Sequence, residues 1–417
     1  MRISKSQLNI QNKATNHSLV LALKEFLISE SQSEEKYQEI IESFPKINRT
    51  NLNKILYSIT LDINKELFPP IENGEIVLTT RCNLACKYCF EKPMLVYSSD
   101  MDERVANKSV DFLFDYLGKS EKLNIVLFGG EPLLNSKALK KIVFRSEILS
   151  KKLGKKLSFS LTTNGTLLDS QWLDFFCDHN IKILLSIDGL KDSHNRNRIF
   201  VDGNGTFDLV QKNLEKLKLV QKYIGAKVTL TPNNLIAFSD DIKGLYGLGI
   251  NHFIVSRASN LFWHQKDIEL YIQELKNTYK WYSEVNSNSV YIDIFEEEKE
   301  KKQYFGCQAG KNSLTISTNG EISPCSRVLS YDCKRLIFKL GDIYKGITNI
   351  QNRKKLILCQ ELKENCSKRD FDDYKGGCFA INLEDEGDIF TPSSRDYFIN
   401  LELKNVIMCM KKNNEIL

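Results

Sequence analysis

The 417 residues are more than one small domain needs, and a 42% apolar content is enough for a sizeable core. Lysine and arginine (58) barely outnumber aspartate and glutamate (53), and the excess of +5 is spread along the chain, so nucleic acid is not an expected partner. No run approaches the ~18–20 apolar residues of a membrane span, and the first residues, MRISKSQLNIQNK, lack an apolar signal core.

The chain is therefore expected in the cytosol, where grouped cysteines are more often metal or cluster ligands than disulfides. Residues 1–72 carry no cysteine and predict a small helical region. Leu19, Val20, Leu23, Phe26 and Leu27 recur at helical spacing, two more helices are expected near 34–44 and 51–67, and Pro69 and Pro70 break the pattern. This region is expected to be a packing cap, or else a module that contacts a substrate or leader peptide.

Residues 73–260 alternate short apolar runs with helical stretches. The runs are 76–78, 125–128, 159–161, 183–187, 228–230 and 253–255. Helices are expected near 102–117, 136–152, 170–179, 206–223 and 236–248, the first capped by Asp100 three residues before Glu103. Six strands separated by helices predict parallel βα units with right-handed crossovers. Ligands then bind at the carboxyl ends of the strands. Residues 261–306 read as a linking helical segment, with the acidic run at 296–298 on a solvated face. Residues 307–417 read as loop-rich and hold seven of the eleven cysteines. Cys177, beside the apolar stretch 172–176, is expected in the core.

The sharpest chemical signal is Cys82-Asn-Leu-Ala-Cys86-Lys-Tyr-Cys89, directly after the first strand. Three thiolates in one loop can wrap a [4Fe-4S] cubane and leave one of its four irons without a protein ligand. Structural zinc, the rival occupant, normally closes four positions. The first histidine after Cys89 is His179.

The spacing Cys-x-x-x-Cys-x-x-Cys, with aromatic Tyr88 before the last cysteine, resembles the signature of the radical S-adenosylmethionine (SAM) superfamily. The resemblance covers roughly residues 74–258 and implies an α/β fold, the partial (β/α)6 barrel. It implies that SAM chelates the open iron and is cleaved, after reduction by a flavodoxin or ferredoxin, to a 5′-deoxyadenosyl radical that takes hydrogen from the substrate. Gly129-Gly130-Glu131 resembles the family's GGE motif, which implies that Glu131 faces the SAM ammonium. Thr163 and Asn164 after the third strand, and Ser186 and Asp188 after the fourth, resemble segments whose polar side chains lie near the SAM ribose and carboxylate. His194-Asn-Arg-Asn-Arg198, expected in a loop, resembles an H-x-x-x-R stretch. It implies Arg198, rather than Arg196, as the partner of the SAM carboxylate.

Downstream stand Cys307, a β-hairpin turning at Asn319-Gly320, Cys325 and Gly376-Gly377-Cys378. This resembles the auxiliary-cluster extension called SPASM, or its shorter twitch form. The match departs from the pattern at Tyr374 and Ser313, where cysteines usually stand. It implies one auxiliary [4Fe-4S] cluster on Cys307, Cys325 and Cys378, with Cys366, Cys333 or a group from outside the chain as fourth ligand. A second cluster would have to draw on Cys333, Cys359, Cys366 and Cys409. Ser326 follows Cys325 where sulfatase-maturing relatives have aspartate, which disfavours that activity. Enzymes with such extensions mostly modify peptides. The resemblance thus implies a maturase acting on a ribosomally made precursor peptide and forming a side-chain crosslink, thioether or carbon–carbon. A small-molecule radical SAM enzyme and a non-catalytic iron–sulfur electron carrier or redox scaffold remain open.

Overall fold

Each of the six apolar runs forms a strand, because alternate residues along it are buried under helices. A computed structural model describes residues 5–29, 32–45, 47–92, 98–285, 289–296, 307–329, 338–366 and 378–414. Helices α1 (Lys5–Ile28), α2 (Glu34–Glu42) and α3 (Arg49–Leu67) precede β1 (Asn73–Val77). Then come α4 (Glu103–Leu117), β2 (Lys122–Phe128), α5 (Ser136–Leu153), β3 (Lys156–Thr163), α6 (Ser170–Asp178) and β4 (Ile181–Ser186). Next are α7 (Lys191–Asn197), α8 (Phe207–Val220), β5 (Gly225–Leu230), α9 (Phe238–Gly247), β6 (His252–Arg257) and α10 (Gln265–Glu284). Strand β7 (Tyr291–Ile292), α11 (Asp293–Glu296), the hairpin β8 (Ser313–Ile316) and β9 (Glu321–Ser323), α12 (Ser326–Leu329) and β10 (Gly341–Asp342) follow. The chain closes with α13 (Ile350–Cys366), α14 (Phe379–Glu386) and α15 (Ser394–Asn414).

The described strands form one sheet in the order β10-β9-β8-β1-β2-β3-β4-β5-β6-β7. Strands β1 to β7 run parallel, and β8 adds in parallel to the free edge of β1. The sheet therefore runs on past the expected six strands into the C-terminal segment. Strands β7 and β10, two residues each, have too few positions to show a period. Within the core strands Ile76, Ile125, Leu161, Leu185, Val228 and Phe253 are buried. Burial of such side chains stabilises by roughly 1.5–3 kcal/mol each.

Four expectations change. Asp102, not Asp100, caps α4, accepting from the Val105 amide. Asp100 is instead held by Thr79 and Arg81, its guanidinium 2.7 Å away, and these donors keep its carboxyl below the usual range despite the opposing effect of burial. His194 to Asn197 lie on helix α7 rather than in a loop. Cys177 is exposed, because α6 turns Leu173 and Phe176 inward instead. Among its described residues the C-terminal third, expected to be loop-rich, is largely helical, with α13, α14 and α15. Of the acidic run, Glu296 accepts from the Tyr282 hydroxyl, and residues 297 and 298 lie outside the described residues.

The N-terminal helices form their own apolar cluster from Leu19, Leu23, Leu52, Leu56 and Ile63, which Ile350 of α13 completes. Arg353, one turn on, is 1% exposed and fastens this cap to the rest. It donates to Asn64 Oδ1 (2.6 Å) and to the carbonyls of Pro69 (2.8 Å), Gly310 (3.0 Å) and Lys311 (2.9 Å), and lies over the Phe68 ring. At the other end of the C-terminal segment, Arg257 of β6 pairs with Asp396 of α15, and Arg327 of α12 pairs with Glu384 of α14 at 3.0 Å. No helix among the described residues is long and apolar enough to cross a membrane.

Replacing Arg353 by methionine strands several buried acceptors, each costing about 1–3 kcal/mol less whatever relaxation recovers. The expected net loss is about 2–4 kcal/mol, read as a lower urea midpoint at unchanged slope.

Candidate active site

The loop from Arg81 to Phe90 leaves the carboxyl end of β1 and is held in place from three directions. The first is the turn after β2. Gly129 has φ +139°, and a Cβ there would lie 2.4 Å from the Thr79 carbonyl, so only glycine allows the approach. The Gly130 amide donates to Thr79 O (3.0 Å) and the Glu131 amide to Arg81 O (2.9 Å). The close approach that Gly129 permits is thus to Thr79, two residues before the cysteine loop.

The second is the turn after β3. Asn164 Nδ2 donates to Asn83 Oδ1 (2.9 Å), and Asn83 Nδ2 donates to Thr166 Oγ1 (2.8 Å). Glu131 locks this turn to the one after β2. Its Oε1 accepts from Thr163 Oγ1 (2.9 Å) and the Leu133 amide (3.1 Å), and its Oε2 from the Asn164 amide (2.8 Å). The side chain is fully buried, and burial pushes its carboxyl up to about 7 against the pull of these donors. Glu131 is thus largely satisfied by its own chain, with one Oε2 lone pair left for a ligand.

The third support joins β4, α7 and the strand-like segment after it. The Ala85 amide donates to Ile199 O (2.8 Å) and the Lys87 amide to Asn197 O (3.0 Å). Asp188 is the centre. Its Oδ2 accepts from the Tyr88 hydroxyl (2.6 Å) and lies 3.0 Å from Arg198 Nε, while Oδ1 accepts from the Thr229 amide (2.9 Å). The Arg198 guanidinium stacks over the Tyr88 ring and is held charged, the Asp188 carboxylate outweighing burial. His194 supports this group from below, its Nδ1 3.4 Å from the Asp188 amide and its Nε2 2.8 Å from Thr206 Oγ1. Ser186 is buried just before Asp188.

The three thiols of the loop are half-buried, and Cys82 feels both Cys86 and Cys89. Burial pushes Cys82 up to about 12 and Cys89 up to about 11. At Cys86 burial also raises the thiol, and the Arg198 guanidinium pulls it back. Such a set of soft donors takes its thiolate form when a cationic centre is bound. Among the described residues no three His, Cys, Asp or Glu side chains converge on one point as a single ion requires. A cubane has its irons at separate corners, one thiolate to each, so the donor set fits a cluster.

On the other side of β1, Cys325 feels Cys378 and Cys307, so these three come together although far apart in sequence. The β8–β9 hairpin delivers Cys325, with Gly320 at φ +87° in its turn, and Cys378 stands directly before the first residue of α14. Glu75 of β1, which accepts from Thr315 Oγ1 (2.8 Å), also lies within electrostatic reach of Cys325. The Cys366 side chain, Cys333, Tyr374, Gly376 and Gly377 lie outside the described residues. Cys359 is buried and donates to Ile389 O, and Cys409 is exposed.

Several contributors carried no sequence signal as single letters. Asn83 and Thr166 become visible only once the two turns meet. Glu91 is buried, and burial first, then the charge of Glu75, pushes it up to about 8.

An open parallel sheet with a thiol-rich loop at its carboxyl end, braced by the next strand turns, defines an α/β iron–sulfur enzyme. The family model described as Radical SAM superfamily matches residues 76–233, and that span is a radical SAM domain. Its cofactors are a [4Fe-4S] cluster and SAM. The chain is 25% identical over 236 residues to the radical SAM cyclopropyl synthase TigE of Paramaledivibacter caminithermalis, covering 52% of this chain and 44% of TigE, less than half of that relative. It is 25% identical over 340 residues to the antilisterial bacteriocin subtilosin biosynthesis protein AlbA of Bacillus subtilis, covering 78% of this chain and 71% of AlbA. The solved structure of native anSMEcpe with bound AdoMet and Cp18Cys peptide shares the fold, with a TM-score of 0.65 at 22% identity over 82% of this chain and 100% of that one. The partial barrel expected from the resemblance is therefore the observed fold.

Two outcomes follow from the buried supports. Glu131→Gln turns an amide NH₂ toward a donor and costs about 1–3 kcal/mol in urea denaturation of the cluster-free chain. Burial lowers His194 to about 3, so the folded state resists protonation that the unfolded chain accepts near 6.5. Its contribution is complete above pH ~6.5 and is lost as pH falls toward the folded value, at about 1.4 kcal/mol per unit. Between pH 7 and pH 5 the wild type should lose about 2 kcal/mol more than His194→Gln, measured by urea midpoints.

Proposed function

We propose that this radical SAM enzyme matures a ribosomally made precursor peptide by forming a side-chain crosslink, thioether or carbon–carbon. The observation that carries the reading is the pair of thiol sets flanking β1. Cys82, Cys86 and Cys89 follow the strand, while Cys325, neighbour of Cys307 and Cys378, is delivered by the hairpin paired to its edge. AlbA, which the chain matches over most of its length, takes part by name in making a bacteriocin, and anSMEcpe has been solved with a peptide; both support a peptide substrate.

In this proposal Cys82, Cys86 and Cys89 hold the catalytic cluster, and Cys307, Cys325 and Cys378 hold an auxiliary one, with Cys366 as candidate fourth ligand. When bound, the cluster and SAM supply a 5′-deoxyadenosyl radical that abstracts hydrogen. Asp188 and Arg198 set the position of Tyr88, and through it the loop, while Arg198 moderates the Cys86 thiol. Thr163, Asn164 and Glu131 fix the two glycine turns against which SAM is expected to lie.

The test is anaerobic. The reconstituted enzyme with SAM, a reductant and a short peptide encoded beside its gene should form 5′-deoxyadenosine and a peptide lighter by two hydrogen atoms. 5′-Deoxyadenosine without any peptide product would remove the peptide; none at all would leave a carrier. The triple Cys82/Cys86/Cys89→Ala variant should form no 5′-deoxyadenosine yet retain about four irons. An iron-free variant would eliminate the auxiliary cluster.

A further inference from the structure

One face of α13 grips the segment that opens with Cys307. Gln308, the next residue, offers its carbonyl to the amides of Lys311, Asn312 and Ser313, which makes a tight turn. Arg353 donates to the carbonyls of Gly310 and Lys311 in that turn. A Cβ at Gly310 would lie 2.7 Å from Leu356 Cδ1, so helix and turn touch there as well. Gln360 comes next, and its Nε2 donates to Cys307 Sγ at 3.9 Å, a distance that suits a hydrogen bond to sulfur. Arg353, Leu356 and Gln360 follow one another at steps of three and four residues along α13, which sets them on one side of the helix.

Arg353 and Leu356 serve the backbone of the turn and its packing, whereas Gln360 serves the thiol. The Gln360 side chain is 5% exposed, and a polar side chain so deeply buried is seldom left without a partner. Cys307 is the exposed member of its set, Cys325 and Cys378 being half-buried, so it has the least packing to fix its direction. Three soft donors that meet from separate segments fit the corners of a cubane, as the first set does. A thiolate bound to such a cluster carries no proton, so only the NH₂ side of an amide can bond to it. At Cys325 the donor is the Val328 amide, which the backbone fixes whatever the side chain. At Cys307 a side chain supplies the donor, and a substitution can take it away.

We propose that Gln360 is a positioning residue of the auxiliary site: its amide donates to the Cys307 sulfur, holds that ligand in place and raises the reduction potential of the auxiliary cluster. Hydrogen bonds to the sulfurs favour the reduced, more negative state of an iron–sulfur cluster, and partners one step beyond the ligands set their orientation. This rests on the auxiliary cluster of the reading above and adds to it the residue that governs how easily that cluster is reduced.

The full-length Cys82/Cys86/Cys89→Ala variant leaves the auxiliary cluster as the iron centre to be observed. Its electron paramagnetic resonance signal is followed through an anaerobic redox titration, alone and with Gln360→Met or Gln360→His added. Methionine keeps the length of glutamine and removes the donor; histidine supplies a ring N–H. With about four irons retained, the midpoint potential should fall in Gln360→Met and recover in part in Gln360→His. Pulsed resonance on protein carrying glutamine labelled at the side-chain nitrogen should show that nitrogen coupled to the reduced cluster, and Gln360→Met should lose the coupling. SAM affinity in the otherwise native enzyme should not change. A potential equal to that of the parent in Gln360→Met at unchanged iron content overturns the proposal. If Gln360→Met binds no iron, the labelled parent decides: a coupled glutamine nitrogen upholds the assignment and its absence overturns it. A parent without iron strikes the auxiliary cluster itself, an outcome distinct from a cluster whose potential does not move.

Discussion

The Asp188 carboxylate ties together three separate parts of the chain: it accepts from Tyr88 in the cysteine loop and from the Thr229 amide of β5, and it forms an ion pair with Arg198 after α7. Everything at the carboxyl end of the sheet depends on that junction. The loop carries its thiols on ten residues with no helix or strand of their own, and isolated it would have no preferred shape. It acquires one because the Arg81 carbonyl, the Asn83 side chain, the Ala85 and Lys87 amides and the Tyr88 hydroxyl are claimed by the turns after β2 and β3 and by residues 188–199. Buried polar groups are costly unless paired, so each pairing selects one loop geometry over its alternatives. The same economy explains Arg198. A guanidinium beside a carboxylate and over an aromatic ring is stable without water, and from there it acts on the Cys86 thiol.

The comparison with anSMEcpe and the match to the superfamily agree on the frame. In this chain the sheet is continuous. Strand β8 joins β1 directly, and β8–β9 is the hairpin that delivers Cys325. The first thiol set and Cys325 of the second are therefore carried by neighbouring parts of one sheet. A hydrogen-bonded ladder thus links the cysteine loop to Cys325, and Glu75 on β1 lies on the side of the second set.

The core strands were legible because parallel strands covered by helices read as short apolar runs between amphipathic stretches, and all six appear where those runs lie. The cysteine loop was legible for a different reason: its donors are local, so spacing alone reveals them. Legibility ended where chemistry depends on tertiary meeting. Nothing in the string shows that Asn83 meets Asn164, or that Arg198 turns toward Asp188. Asp100 and Asp102 both suit a cap, and only the demand of Arg81 for a partner separates them. Cys177 follows an aromatic run, but α6 buries Leu173 and Phe176, and its periodicity leaves the thiol outside.

Arg353 reaches across three segments that are remote in sequence, residues 64–69, residues 310–311 and its own helix. A chain shortened to begin at β1 would look like a minimal barrel on paper. In water it would uncover Ile350, unseat that guanidinium and loosen the backbone just beyond Cys307. Trimming the N-terminus would therefore be felt first at the distant thiols, long before the barrel itself gave way.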